Sequence, residues 1–143
     1  MLGSLVLLIH PDAITRVILV EQLGPEFRWI VAAGAADVPT SFDEAPALIL
    51  GDADGVPELD ALCARLRARL RAVRSIALTR DYRAHLPSVD TLLVKPVPLD
   101  QVRHTLLLEA RLGMHMSSSR ARGGRSSVDE YDPDDVATPR IRY

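Results

Sequence analysis

Five short apolar runs, separated by segments of helical periodicity, predict an α/β chain built on a five-stranded, mostly parallel sheet. Two observations carry this. Runs such as Leu5-Val6-Leu7-Leu8-Ile9 and Leu48-Ile49-Leu50 are continuously apolar rather than alternating. That pattern fits strands covered on both faces. The intervening segments supply the crossovers that parallel neighbours require, so the sheet is doubly wound, with helices on both faces.

The elements follow in order. Leu5 to Ile9 is the first strand, followed by His10-Pro11-Asp12. Asp12 caps a helix whose inner face is expected at Ile14, Val17 and Ile18, running to Leu23 and stopped by Gly24-Pro25. Trp29 to Ala33 is a second strand, and Thr40 or Ser41 is the candidate cap of a short helix after it. Ala47 to Leu50 is the third strand, ending at Gly51-Asp52-Ala53-Asp54-Gly55. Leu59, Leu62, Leu66, Leu70 and Val73 then make a helical stripe, with Arg65, Arg67, Arg69, Arg71 and Arg74 largely off it as a solvated face. Ser75 to Leu78 is a fourth strand ending at Thr79, and Arg80 to Ser88 has room for about two helical turns at most. Thr91 to Val94 is the fifth strand, followed by Lys95-Pro96. Pro98 opens a last helix with Leu99, Val102, Leu106 and Ala110 inward.

Composition narrows the function. The core is aliphatic, since hydrophobic residues are 48% of the chain and aromatics only 4%. A net charge of −2 gives no field for nucleic acid. The single cysteine, Cys63, beside the leucine stripe, reads as an inert buried thiol and excludes an intrachain disulfide. The apolar runs fall well short of the roughly 20 residues that span a bilayer, so a cytoplasmic protein without membrane insertion is expected. After Gly113 the chain becomes charged and poor in apolar residues. Residues 1–113 are therefore expected to form one domain, and 114–143 a disordered charged tail. Arg140, Ile141, Arg142 and Tyr143 in that tail could serve as a short partner-binding motif.

In open parallel sheets, ligands bind off the carboxyl ends of the strands. Those ends carry His10, Pro11 and Asp12; then Asp52 and Asp54; then Thr79; then Lys95, the sole lysine beside sixteen arginines. A carboxylate, a hydroxyl and an ammonium on one rim suit phosphoryl chemistry. From Ser4 to about Leu112 this order resembles the receiver domain of bacterial two-component response regulators. Leu48 to Asp52 matches the phosphoacceptor strand, Ala77-Leu78-Thr79 the switch hydroxyl, and Lys95-Pro96 the lysine with its usually cis-bonded proline. The resemblance implies a flavodoxin-like sheet in the order 2-1-3-4-5, and Asp52 as the acceptor of a phosphoryl group from a histidine kinase, beside a magnesium ion.

The departures from that pattern shape the expected function. The family's two adjacent metal-binding carboxylates are here His10 and Pro11, and proline offers no ligand. Asp12 stands one or two places late. Leu92 and Leu93 replace the aromatic before the lysine. The expected protein is a signalling pseudo-receiver, not an enzyme. It works by protein–protein contact, needs no cofactor, and pairs Lys95 with Asp52. The family's fourth helix, fifth strand and fifth helix are the expected partner or homodimer face. The alternatives are a single-domain regulator still phosphorylated on Asp52, with Mg2+ held partly by Asp12 and Asp54, or a module binding a small ligand at the same rim.

Overall fold

The computed structural model describes residues 3–126, and the tail residues Arg140, Ile141, Arg142 and Tyr143 lie outside them. Five strands form one parallel sheet: β1 (Ser4–Ile9), β2 (Phe27–Ala32), β3 (Leu48–Asp52), β4 (Arg74–Thr79) and β5 (Thr91–Val94). Their spatial order is β2-β1-β3-β4-β5, as the resemblance implies. Three helices accompany them: α1 (Ala13–Leu23), α2 (Leu59–Arg69) and α3 (Leu99–Ser126).

The period-2 geometry of the strands divides the core into two layers. Val6, Leu8, Leu48, Leu50, Ile76, Leu78 and Leu93 meet Leu19 and Leu23 of α1 and Val102 and Leu106 of α3. On the opposite face Leu7, Ile9, Ile49 and Ala77 meet Leu59, Leu62, Cys63 and Leu66 of α2. The continuous apolar runs are thus buried on both sides, which is why they do not alternate.

The helices depart from expectation in four ways. The first concerns α1, where Ile14, Val17 and Ile18 are 71%, 56% and 46% exposed, while Leu19 and Leu23 face the core. Apolar residues nearly surround this helix, so two stripes compete. The second is that no regular helix follows β2, only a single 3-10 turn at Ala35–Asp37. Val38 and Phe42 pack on the α2 layer in its place.

The third is that the segment between β4 and β5 contains no helix, so the expected face made with a fourth helix does not exist. Side chains of Thr79, Asp81 and, from α2, Asp60 accept its backbone N–H groups, an alternative to helical hydrogen bonds. Asp81 N–H donates to Thr79 Oγ1 (3.0 Å), Arg83 N–H to Asp81 Oδ1 (2.9 Å) and Ser88 N–H to Asp60 Oδ1 (2.8 Å). Leu86 and Val89 plug the layer in place of a helix. The fourth is that α3 runs through Gly113 to Ser126 rather than stopping at the expected boundary. Gly113 lets it pass close to the start of β4, where a Cβ would lie 3.0 Å from the Ala72 carbonyl oxygen.

A polar seam fixes α3 against the sheet. Buried Glu109 accepts from Arg74 Nε (2.7 Å) and Thr91 Oγ1 (2.7 Å). Neighbouring α3 positions therefore differ sharply in what they contribute. Leu106 is fully buried and Leu107 is 36% exposed. Leu106→Ala is expected to cost about 2–5 kcal/mol and Leu107→Ala under about 1 kcal/mol. Urea melts of both variants check this, and equal losses would contradict the assigned orientation of α3.

Candidate functional site

The carboxyl ends of β1, β3, β4 and β5 converge on a cleft of about 520 Å3. His10, Asp12, Asp52, Asp54, Arg80 and Lys95 form its polar side, and Leu19, Leu78, Val97, Leu99 and Val102 its apolar wall. Residues far apart in sequence meet here because all these strands run in one direction.

Lys95 holds the centre. Its Nζ contacts Asp52 Oδ1 and lies 3.0 Å from Asp54 Oδ2. The Lys95-Pro96 peptide bond is cis. Burial disfavours the ammonium, but the hydrogen bonds to Asp52 and Asp54 outweigh it and raise its pKa above the ordinary value. Asp52 is buried at the end of β3, and its Oδ2 accepts the Gly55 N–H at 3.1 Å.

Asp54 ties three strand ends together. Its Oδ1 accepts from Thr79 Oγ1 (3.2 Å), its Oδ2 from Arg80 N–H (3.0 Å), and Lys95 completes the set. Desolvation pushes this carboxyl up, yet Lys95, the Arg80 amide and Thr79 together hold it below its ordinary value. Thr79 serves both sides, donating to Asp54 and accepting from Asp81 N–H.

The β1 end is organised differently. Asp12 is the N-cap of α1, and its Oδ2 accepts from the Thr15 amide (3.1 Å) and the Thr15 hydroxyl. The Thr15 hydroxyl bond is the main reason its pKa is lowered. His10 Nδ1 accepts the Asp12 N–H at 3.1 Å, which directs Nε2 toward Asp52 Oδ2, 3.7 Å away. Desolvation lowers the pKa of His10, partly offset by Asp52. The Arg16 guanidinium donates to the His10 carbonyl (2.6 Å). Pro11 closes the remaining space. A Cβ on Gly55 would lie 2.5 Å from Pro11 Cγ and 2.7 Å from Asp52 Oδ2, so only glycine fits between them.

These donors fit magnesium poorly. Mg2+ demands near-octahedral oxygen coordination. Asp52 and Asp54 are engaged by Lys95 and by amides, Asp12 by Thr15, and the position beside His10 is a proline ring. Among the described residues no group of three or more His, Cys, Asp or Glu side chains converges as a metal site.

The structure brings together His10, Asp52, Asp54, Thr79 and Lys95, with Pro11 and Pro96 flanking them and Asp12 on the near edge as a cap. Sequence reasoning missed Thr15, Gly55 and Arg80. The three-residue spacing from Asp12 to Thr15 was a readable capping signal. Nothing in the sequence betrays that Pro11 sits on Gly55, because that contact spans two loops.

No family model matches the chain, and no curated protein matches it. Solved structures do. The receiver-modulated diguanylate cyclase of Pelobacter carbinolicus aligns with a TM-score of 0.67 at 21% identity, covering 80% of this chain and 98% of that one. A CheY-like response regulator receiver domain protein from Methanospirillum hungatei aligns at 0.67 and 16% identity, with the same coverages of 80% and 98%. The response regulator TrrA of Thermotoga maritima, solved in complex with Mg2+ and BeF, aligns at 0.63 and 19%, over 74% of this chain and 98% of that one. This is the receiver fold. At these identities the likeness is one of architecture, and the described residues form a single receiver-like domain.

The Asp54 clamp generates a pH prediction. A carboxyl whose folded pKa lies below its ordinary 3.8 contributes stability that is present above that value and lost as pH falls through the folded pKa. Asp54→Ala is expected to cost about 0.5–1 kcal/mol at pH 7, the range of a solvent-screened pair. The gap between wild type and variant should narrow as pH falls below about 3.8. Denaturant melts across pH 7 to about 2.5 check this, and a constant gap would rule out the charged clamp.

Proposed function

We propose that this chain is a phosphorylation-impaired receiver, a pseudo-receiver in two-component-type signalling that acts by protein–protein contact rather than by catalysis. The supporting observation is the state of its rim carboxylates. Asp52 is buried and held by Lys95 and the Gly55 amide, with the Pro11 ring packed where an acidic metal ligand is expected. A phosphoryl donor is strongly anionic. Reaching Asp52 without a divalent cation brings like charges together in a partly buried site. Lys95 offers one positive charge against two carboxylates.

The exposed side of α1 supports the contact half of the reading. Ile14, Val17 and Ile18 present a branched apolar surface beside the cleft. Contiguous exposed apolar residues are the common mark of an interaction surface. This face takes the place of the one expected around a fourth helix.

The direct test is incubation of the full chain with a small phosphodonor and magnesium, followed by intact mass. The mass is expected to stay unchanged. A gain of one phosphoryl group that vanishes in Asp52→Asn would establish the working regulator instead. For the surface, Val17→Glu with Ile18→Glu is expected to abolish partner capture while leaving the thermal midpoint within a few degrees, because both positions face solvent.

One observation favours a second reading. The apolar wall of Leu19, Leu78, Val97, Leu99 and Val102 gives the cleft a greasy side facing a polar one, the usual make-up of a small-ligand site. Thermal stabilisation by a metabolite without any partner would support it.

A further inference from the structure

The arginines of α2 are not a uniform solvated face. Arg67 turns to the Ser88 carbonyl (3.2 Å) and Asp90 (3.8 Å). Arg69 donates to the Thr40 carbonyl (2.5 Å), an uncharged acceptor that leaves its charge uncompensated. Arg65 and Arg71 are exposed, and neither makes a hydrogen bond or ion pair among the described residues. Arg65 and Arg69 border a groove of about 290 Å3 that exists because β2 is followed by a loop instead of a helix. Its floor includes Val38, Pro39, Leu62 and Leu66. Arg69 and Arg71 border a second groove of about 510 Å3, which runs to Gly113 and Met114 on α3. Arg69 lines both, so the two grooves form one track from α3 to the middle of α2.

We propose that this arginine-bordered track is the docking site for the chain's own acidic segment, residues 132–135. Two observations select that occupant. The first is complementarity. The segment Asp132-Pro133-Asp134-Asp135 carries three carboxylates. Three arginines match them in number, one guanidinium fork to each carboxylate. The second is reach. From Gly113 to Ser126, α3 extends about 20 Å past the second groove at about 1.5 Å per residue. The nine residues 127–135 span up to about 30 Å when extended. About six extended residues cover that distance, so the stretch from Asp132 to Asp135 can double back to Arg71 and Arg69.

Paramagnetic broadening in the full chain tests this. Val136→Cys provides the tag site. Cys63 stays unlabelled because it is buried and its thiol is pushed up to about 11. Amides of residues 36–38, 40 and 62–71 are expected to broaden at low salt and to recover near 0.5 M NaCl, roughly where exposed charges are screened. Arg65→Glu, Arg69→Glu and Arg71→Glu together should abolish the broadening, and adding Asp132→Lys, Asp134→Lys and Asp135→Lys should restore it. If the arginine variant unfolds, Asp→Asn changes at the same three tail positions give the same loss without touching the domain. Three outcomes would overturn the proposal. One is no broadening at low salt. Another is broadening confined to α3 beyond Gly113, which would pair the acids with Arg120, Arg122 and Arg125. The third is broadening that grows with protein concentration, which would make the occupant a second copy.

Discussion

One ammonium group decides the character of the rim. Lys95 bridges Asp52 and Asp54, so β3 and β5 are joined by charge at the end where parallel strands leave their backbone groups loose. Asp54 extends the bond to β4 through Thr79 and the Arg80 amide. Remove the cation and two carboxylates face each other in a partly buried cleft. The loops after β3, β4 and β5 depend on that one side chain. Its length also matters, since a compact cation on a flexible stem can meet two acceptors at once.

The same geometry limits what the rim can do. A receiver that accepts phosphate needs its acidic groups open toward a cation. Here each carboxylate already has partners, and the β1 end supplies a histidine spent on a backbone amide and a proline spent on a glycine. These contacts stabilise one arrangement of the loops.

Much of this was readable from the chain. The order of the strands followed from continuous apolar runs and the resemblance, and the meeting of Asp52, Thr79 and Lys95 followed from the parallel topology. Other features were not legible. The orientation of α1 was ambiguous because Ile14, Val17, Ile18, Leu19, Val20 and Leu23 leave little of its surface polar. Side-chain bonds from Thr79 and Asp81 nearby and from Asp60 across on α2 take the place of a helix after β4, and the long-range one needs coordinates to be seen. The true length of α3 was hidden by Gly113, which reads as a helix stop but serves as a close-approach point against Ala72. Asp54 looked like a spare carboxylate and turned out to join three strand ends.

The missing helix after β2 also changes the outer border of the sheet. β2 has only β1 beside it, and its other margin has no strand partner in the described chain. Val31 is half exposed there, and Trp29 and Ile30 are partly so. Edge strands of this kind can template a neighbouring chain unless charge or curvature interrupts them. The charged element at hand is Arg28, which grips Glu44 with both guanidinium nitrogens at 2.7 and 2.6 Å. A charged pair on an edge strand is among the features that discourage a second chain from adding there, so the contact that ties β2 to the loop before β3 also bears on how copies of the domain meet.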